Sequence, residues 1–275
     1  MGYKSGIEYV DSSWNFLRGC TIKSPACTNC YAARMSARFS GPGEPYEGVV
    51  ERRNGKPIWT GAIRVVEKHL HDPEKWREPR ITFVNSMSDT FHESVPISVL
   101  DRAFEVMERC PKHTFLLITK RPERMRVYVE SRYNGGSLPL HIWPGTTVES
   151  NEYRYRAQIV SEIPAAVRFL SCEPLLGDID LENFIAPLTP ADTGMERKRL
   201  IDWVMVGGES GPGARPMNPE WVRNIQRQCR EAGVAFWFKQ WGGASNKAAG
   251  ALLDGKICHE RPESSRMRPE EATGQ

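Results

Sequence analysis

From residue 80 onward the chain repeats one pattern, a short apolar β-branched run followed by a segment of helical periodicity. The runs are Ile81–Val84, Thr114–Ile118, His141–Trp143 leading into Thr146 and Thr147, Val167–Leu170, Trp203–Val206 and Val234–Phe238. Between them, Pro96–Cys110 sets Ile97, Leu100, Phe104 and Met107 on one face, with proline in the first turn. Asn151–Ile163 opens on a capping asparagine and carries Tyr155 and Ile159. Asn218–Ala232 is capped by Asn218, carries Trp221, Ile225 and Cys229 on a face, and stops at Gly233. Strands separated by helices run parallel with right-handed crossovers. The pattern therefore predicts an α/β fold: six such strands, preceded by one at Ile7–Val10, form a partial (β/α)6-type parallel barrel.

The remaining stretches set the expected boundaries. Residues 1–243 read as a single partial barrel domain with a charged insertion at about 41–80, which holds a short helix around Val65–Leu70. Residues 190–200 read as a flexible loop. Residues 244–275 read as a hairpin through Asp254-Gly255 and a flexible tail beyond Glu260. There is no signal-peptide pattern and no apolar run near 18 residues, so the expected location is the cytoplasm, with no membrane partner.

In a reducing compartment seven cysteines argue for metal or catalysis rather than disulfides. Three of them, Cys20, Cys27 and Cys30, form C-x6-C-x2-C just before a helix expected at Tyr31–Phe39. Three thiolates on one loop leave a tetrahedral zinc one ligand short, and leave one iron of a [4Fe-4S] cluster with an open position. Buried structural cysteines, a zinc site completed from a distance, and a site-differentiated iron–sulfur cluster all remain open at this point. Among the six histidines no metal-binding spacing occurs, and His259 beside Cys258 is the best distant partner for zinc. Cys110 and Cys229 read as core.

In a parallel barrel the active site forms at the C-terminal ends of the strands. Here those ends are polar: Asn85-Ser86-Met87-Ser88-Asp89, Thr119-Lys120-Arg121, Thr147-Val148-Glu149, Ser171-Cys172-Glu173, Gly207-Gly208-Glu209-Ser210 and Lys239-Gln240. Glu173, Glu209 and Lys239 could serve acid–base work or form a salt-bridge network. Cys172 could give a hydrogen atom to a substrate radical, complete a zinc site or lie in the core. The glycines at 207–213 lack the P-loop spacing and read as a tight turn at the rim. Lys112, Lys120, Arg121, Arg124, Arg126 and Arg132 form a basic stripe that suits phosphates or a solvated helix face.

These motifs resemble the three-Cys-motif, radical-SAM-like proteins associated with bacteriophages and bacterial chromosomes. The resemblance rests on Trp14-Asn15, Gly19-Cys20 and Cys27-x-x-Cys30-Tyr31-Ala32. It continues through Phe83–Asp89, Thr119–Pro122, Ser171–Leu175, Gly207–Gly211 and Lys239–Gly242. More distantly the chain is similar to spore photoproduct lyase-type radical SAM proteins, although their first cysteine gap is three rather than six. The resemblance implies a barrel of the radical SAM kind, with a [4Fe-4S] cluster on Cys20, Cys27 and Cys30 that binds S-adenosylmethionine at the open iron. It further implies that Asn85, Ser86 and Ser88 lie at the cofactor amino group, with Lys120 or Arg121 at its carboxylate. Thr147 and Glu149 would take the ribose, and Cys172, Glu173, Glu209 and Lys239 would serve catalysis. A flavodoxin- or ferredoxin-type reductant, a 5′-deoxyadenosyl radical and a nucleotide or nucleic-acid substrate complete that expectation. The alternatives are a zinc-stabilised nucleic-acid- or protein-binding module and a non-catalytic iron–sulfur redox protein.

Overall fold

A computed structural model describes residues 5–185, 200–244 and 249–263. Its chain divides into two compact units, Met1–Arg121 and Pro122–Gln275.

The first unit opens with β1 (Ser12–Trp14) and β2 (Leu17–Arg18), followed by the cysteine loop and α1 (Tyr31–Ser36). Next come the hairpin β3 (Val50–Arg53) and β4 (Lys56–Trp59), the short β5 (Arg64–Val65) and α2 (Glu67–Leu70). Then follow β6 (Ile81–Val84), α3 (Ile97–Arg109) and β7 (Thr114–Thr119). β6 lies between β1 and β7, parallel to both. β2 and β5 pair antiparallel. The first strand is Ser12–Trp14, not the expected Ile7–Val10, because its inward residues include a serine. Buried Ser12 bonds Thr82 across the strand pair (Oγ to Oγ1, 2.9 Å) while Trp14 fills the core.

The insertion is more ordered than expected. Asn54 and Gly55 both take positive φ, 49° and 75°, as a two-residue hairpin turn demands. The hairpin then packs Val50 and Trp59 against Ala32 and Ala33 of α1. In α3, Leu100, Phe104 and Met107 are buried as expected, but Ile97 in the first turn is exposed.

The second unit contains α4 (Pro122–Arg132), β8 (Ile142–Thr147), α5 (Tyr155–Ser161), β9 (Phe169–Cys172) and α6 (Glu182–Ile185). It continues with β10 (Trp203–Gly207), α7 (Pro219–Ala232) and β11 (Ala235–Gln240). β8, β9, β10 and β11 lie side by side, each parallel to the next. Asn218 caps α7 by accepting from Glu220 N at 3.0 Å, and Gly233 ends it in the left-handed region. Asn151 opens a 3-10 turn, and the α-helix begins only at Tyr155. Asp254 and Gly255 form a tight turn, with Leu253 and Lys256 bonded to each other. Beyond it, Phe238 N donates to Cys258 O (2.7 Å) and Glu260 N to Phe236 O (3.0 Å), so residues 258–260 lie along the outer edge of β11. Trp203 Nε1 donates to Glu260 O at 3.0 Å.

The chain is thus an α/β protein on seven parallel strands, three in one unit and four in the other, with helices between them, as a partial (β/α) barrel requires. The expected loop at 190–200 falls almost wholly outside the described residues, as does the tail from 264. Among the described residues no helix is long and apolar enough to cross a membrane.

Candidate metal centre

The three cysteines sit on a loop that the end of β6 holds from one side. Asn85, in the left-handed region at φ 57°, accepts from Leu17 N at 3.1 Å and donates to Thr90 Oγ1 at 2.9 Å. Asn15 Oδ1 accepts from Met87 N (3.2 Å) and Ser86 Oγ (3.3 Å). Ser88 Oγ donates to Leu17 O at 3.1 Å, and Tyr31 OH to Ser86 O at 2.6 Å. The side chains of Asn85, Ser86 and Ser88, expected at a cofactor amino group, therefore brace the arm before Cys20, and the Ser86 carbonyl holds the arm after Cys30 through Tyr31. Gly19 precedes the first cysteine at φ 94°, where a Cβ would stand 2.0 Å from Ala62 O.

A buried ionic network supports the same loop. Asp89 accepts from Phe91 N (3.0 Å), Thr119 Oγ1 (2.7 Å), Lys120 N (3.2 Å) and Arg121 Nη1 (2.8 Å). Arg121 also donates from Nε to Glu93 (2.6 Å) and from Nη2 to Thr21 Oγ1 (2.5 Å). His92 Nδ1 accepts from Ser94 N, so its Nε2 carries the proton donated to Thr21 Oγ1 at 3.1 Å. All three guanidinium nitrogens of Arg121 are engaged by Asp89, Glu93 and Thr21. Asp89 was visible only as the end of a polar segment, and Glu93, His92 and Thr21 carried no motif at all.

Burial would raise the Glu93 carboxyl, but its own backbone N–H, Arg121 and Lys23 outweigh burial and bring it from 4.5 down to about 2. A depressed carboxyl contributes stability that is complete above its unfolded value and lost as pH falls through the folded one. Acid unfolding of the wild type should therefore steepen between about pH 4.5 and 2, and Glu93→Gln should flatten that window. Far-UV circular dichroism against pH checks this, and superimposable profiles would refute it. Glu93 is exposed, so the effect is modest.

Cys20, Cys27 and Cys30 are free and half-buried, and Cys20 and Cys30 pack against the same Ala32–Ala33–Trp59 cluster. Burial, then Asp89, push the Cys20 thiol up to about 12 against the pull of Arg121, with Cys30 and Cys27 adding to the rise. A metal loading here must displace that proton. Among the described residues, no three His, Cys, Asp or Glu side chains are drawn together as a single-ion site. A cluster makes a different demand, because each cysteine binds a separate iron and the sulfurs stand apart. Three soft thiols with no carboxylate between them fit iron–sulfur chemistry.

In the second unit the strand ends carry two ion-pair groups and one loop clasp. Glu173 Oε2 accepts from Lys239 Nζ at 2.9 Å, above Gly207, where a Cβ would come within 3.2 Å of Glu173 Cγ. Glu149 Oε2 accepts from Arg156 Nη1 at 3.0 Å, and the same nitrogen donates to Thr147 O at 3.1 Å. Both side chains of that pair are 1% exposed, and Tyr153 lies against the guanidinium. Glu209 holds Arg215 by Oε1–Nη2 (2.6 Å) and Oε2–Nε (3.1 Å), closing the glycine-rich turn. Glu149 Oε1 and Glu173 Oε1 are buried with no hydrogen-bond partner among the described residues. Cys172 is fully buried in β9, and burial raises its thiol well above the ordinary value. Cys258 accepts from Gln226 (3.3 Å) and His259 stacks on Trp237, at 4.0 Å between centroids. The basic stripe disperses: Arg121 turns inward, Lys112 bonds Arg77 O, and Arg126 pairs with Glu162.

A family model described as a protein of unknown function (DUF5131) matches residues 4–262. No curated protein matches. Among solved structures, spore photoproduct lyase complexed with dinucleoside spore photoproduct is similar at 11% identity and a TM-score of 0.41. That match covers 84% of this chain and 64% of the lyase chain, so this chain spans less than two thirds of the lyase's length.

Proposed function

We propose that this chain, which belongs to the DUF5131 family of unknown function, is a radical S-adenosylmethionine enzyme with a [4Fe-4S] cluster on Cys20, Cys27 and Cys30. The observation that carries the reading is the donor set: three free thiols within eleven residues, on a loop braced from both arms. Three thiolates leave one iron open for the amino and carboxylate groups of the cofactor. When bound and reduced, the cluster supplies the electron that cleaves S-adenosylmethionine to methionine and a 5′-deoxyadenosyl radical.

The chain's own residues do the positioning. Asn85, Ser86 and Ser88 keep the cysteine loop in place with their side chains, and their segment would meet the cofactor amino group through backbone carbonyls, each able to accept twice. Lys120 would hold the carboxylate as a point charge, since Arg121 is committed to Asp89, Glu93 and Thr21. In the second unit, Thr147 and Glu149 keep the proposed ribose role, with Glu149 held by Arg156. Glu173 and Lys239 form the proposed acid–base pair: Lys239 donates to one carboxylate oxygen, and the other, without a hydrogen-bond partner among the described residues, is left to take a substrate proton. Glu209 shapes the glycine-rich turn through Arg215 rather than meeting a proton. Cys172 retains the proposed role of hydrogen-atom donor. A nucleotide or nucleic acid remains the proposed substrate class, and the cytoplasm the proposed location.

Anaerobic reconstitution followed by iron and sulfide analysis tests the reading. Wild type and Cys172→Ala should bind near-stoichiometric cluster, whereas Cys20→Ala, Cys27→Ala and Cys30→Ala should each lose most of it. Wild type should also form 5′-deoxyadenosine. Zinc in place of iron would move the assignment to a structural zinc module. A full cluster without 5′-deoxyadenosine would indicate a redox protein.

A further inference from the structure

Thr21 follows the first cysteine, and its hydroxyl has only one way left to bond. The oxygen accepts from Arg121 Nη2 (2.5 Å) and from His92 Nε2 (3.1 Å). Neither donor can reverse its role. A guanidinium has no acceptor to offer, and His92 Nδ1 accepts from Ser94 N, which puts the ring hydrogen on Nε2. The nearest carboxylate oxygen to that nitrogen, on Glu93, stands 3.9 Å away. A hydroxyl has two lone pairs and one hydrogen. Both lone pairs of Thr21 are occupied, so the hydrogen must point elsewhere, and no acceptor among the described residues takes it.

The direction of that hydrogen is fixed from several sides. Arg121 and His92 are each only 3% exposed, so both donors are held in place. The Thr21 methyl lies against Gly61, where a Cβ would come within 3.2 Å of it, at a φ of 92°. Cys20 Sγ in turn lies at Thr21 O, 3.5 Å away. The charges of the network reach that sulfur. After burial, which acts most, Asp89 pushes the Cys20 thiol up and Arg121 draws it down.

We infer that the Thr21 hydroxyl donates to a sulfur of the cluster at Cys20 and so raises the reduction potential of that cluster. Arg121 and His92 are the positioning residues that aim it. This rests on the cluster reading above. Hydrogen bonds to the sulfurs are one means by which a protein sets a cluster's potential. They offset part of the negative charge that reduction adds, and so favour the reduced state. A hydroxyl whose oxygen already accepts from a cation is also polarised into a stronger donor. A cofactor carboxylate is the rival acceptor. It would sit on the iron that no cysteine holds, whereas Thr21 is covalently joined to the ligand of another.

The test uses the full chain, reconstituted anaerobically. Redox titration reads the cluster potential, and electron–nuclear double resonance in D2O reads exchangeable deuterons near the reduced cluster. At a fixed potential Thr21→Val should lower the ratio of reduced to oxidised cluster about tenfold, which is about 59 mV for one electron. It should also remove one deuteron coupling present in wild type, while Thr21→Ser keeps both properties. Thr21→Val leaves two buried donors unpaired, so Thr21→Asp serves beside it. Ionised next to Arg121, that side chain accepts from both donors but has no hydrogen to give, and the same coupling should vanish. A wild-type potential and coupling in Thr21→Val, or a coupling that survives in Thr21→Asp, would overturn the inference. So would a coupling that appears only after S-adenosylmethionine is added, since that gives the hydroxyl to the cofactor carboxylate. Wild type that loads zinc or no iron refutes the cluster reading, and this inference with it. A full cluster indifferent to Thr21→Val refutes this inference alone.

Discussion

Asp89→Ala should cost about 3–5 kcal/mol of stability and release the cysteine loop. The carboxylate collects four donors, from Phe91 N, Thr119 Oγ1, Lys120 N and Arg121 Nη1. Removing it takes a partner from all four at once, including a guanidinium only 4% exposed. Arg121→Met should be milder, about 1–3 kcal/mol, because Asp89 keeps its three other donors. The order of the two variants is the discriminating result, read from denaturant midpoints. Equal costs would mean that the ion pair, rather than the carboxylate as a collecting point, holds the loop. The double variant should fall short of the sum of the two singles, as expected for residues in direct contact.

Gly19→Ala should be of similar size, about 3–6 kcal/mol, through a different mechanism. At φ 94° a side chain is strained regardless of the space around it, and here the new Cβ would also sit 2.0 Å from Ala62 O and 3.2 Å from Val49 Cβ. A backbone oxygen cannot rotate away as a flexible side chain would, so the loop carrying Cys20 must move. Gly43→Ala is the internal control: φ is 78° there, but nothing lies within 4 Å of the added methyl. It should cost only about 1–2 kcal/mol, the conformational part alone. Denaturation of both variants, with iron content after reconstitution, checks the pair. A Gly19→Ala protein as stable as Gly43→Ala would show that the close approach is relieved cheaply.

The contrast between these sites and the helices shows where sequence reading succeeds. The α3 and α7 segments were legible because apolar period and caps agree: Pro96 and Asn218 stand at the starts and Gly233 at one stop. The parallel strands from β6 onward were legible from their alternation with helices. What stayed hidden were polar residues turned inward. Ser12 conceals β1, since a serine facing the core breaks the apolar run that marks a strand. Arg121 and Arg156 are buried against carboxylates, and only tertiary partners tell such arginines from solvated ones. The hairpin at Asn54-Gly55 was a different kind of miss. The dipeptide is a strong turn signal, but the flanking strands are so charged that their alternation is faint, with Val50 alone fully buried in β3. The cysteine spacing and the polar strand ends of each unit could be read directly. The commitment of Arg121 to buried partners could not, because it depends on Glu93 and Thr21, which lie 28 and 100 residues from Arg121 in the sequence.

The short run at residues 258–260 has a consequence beyond its few hydrogen bonds. β11 ends the row of strands in its unit, and a bare outer strand offers its unpaired amides and carbonyls to any passing chain. Phe236, with Phe238 and Trp237 beside it, would make that offer an especially adhesive one. By bonding Phe238 N and Phe236 O, and by laying His259 over Trp237, this run occupies the template before a neighbour can. Residues 258–260 thus cover that edge: they keep a row of aromatic strand edges from turning one folded molecule into the seed of an aggregate.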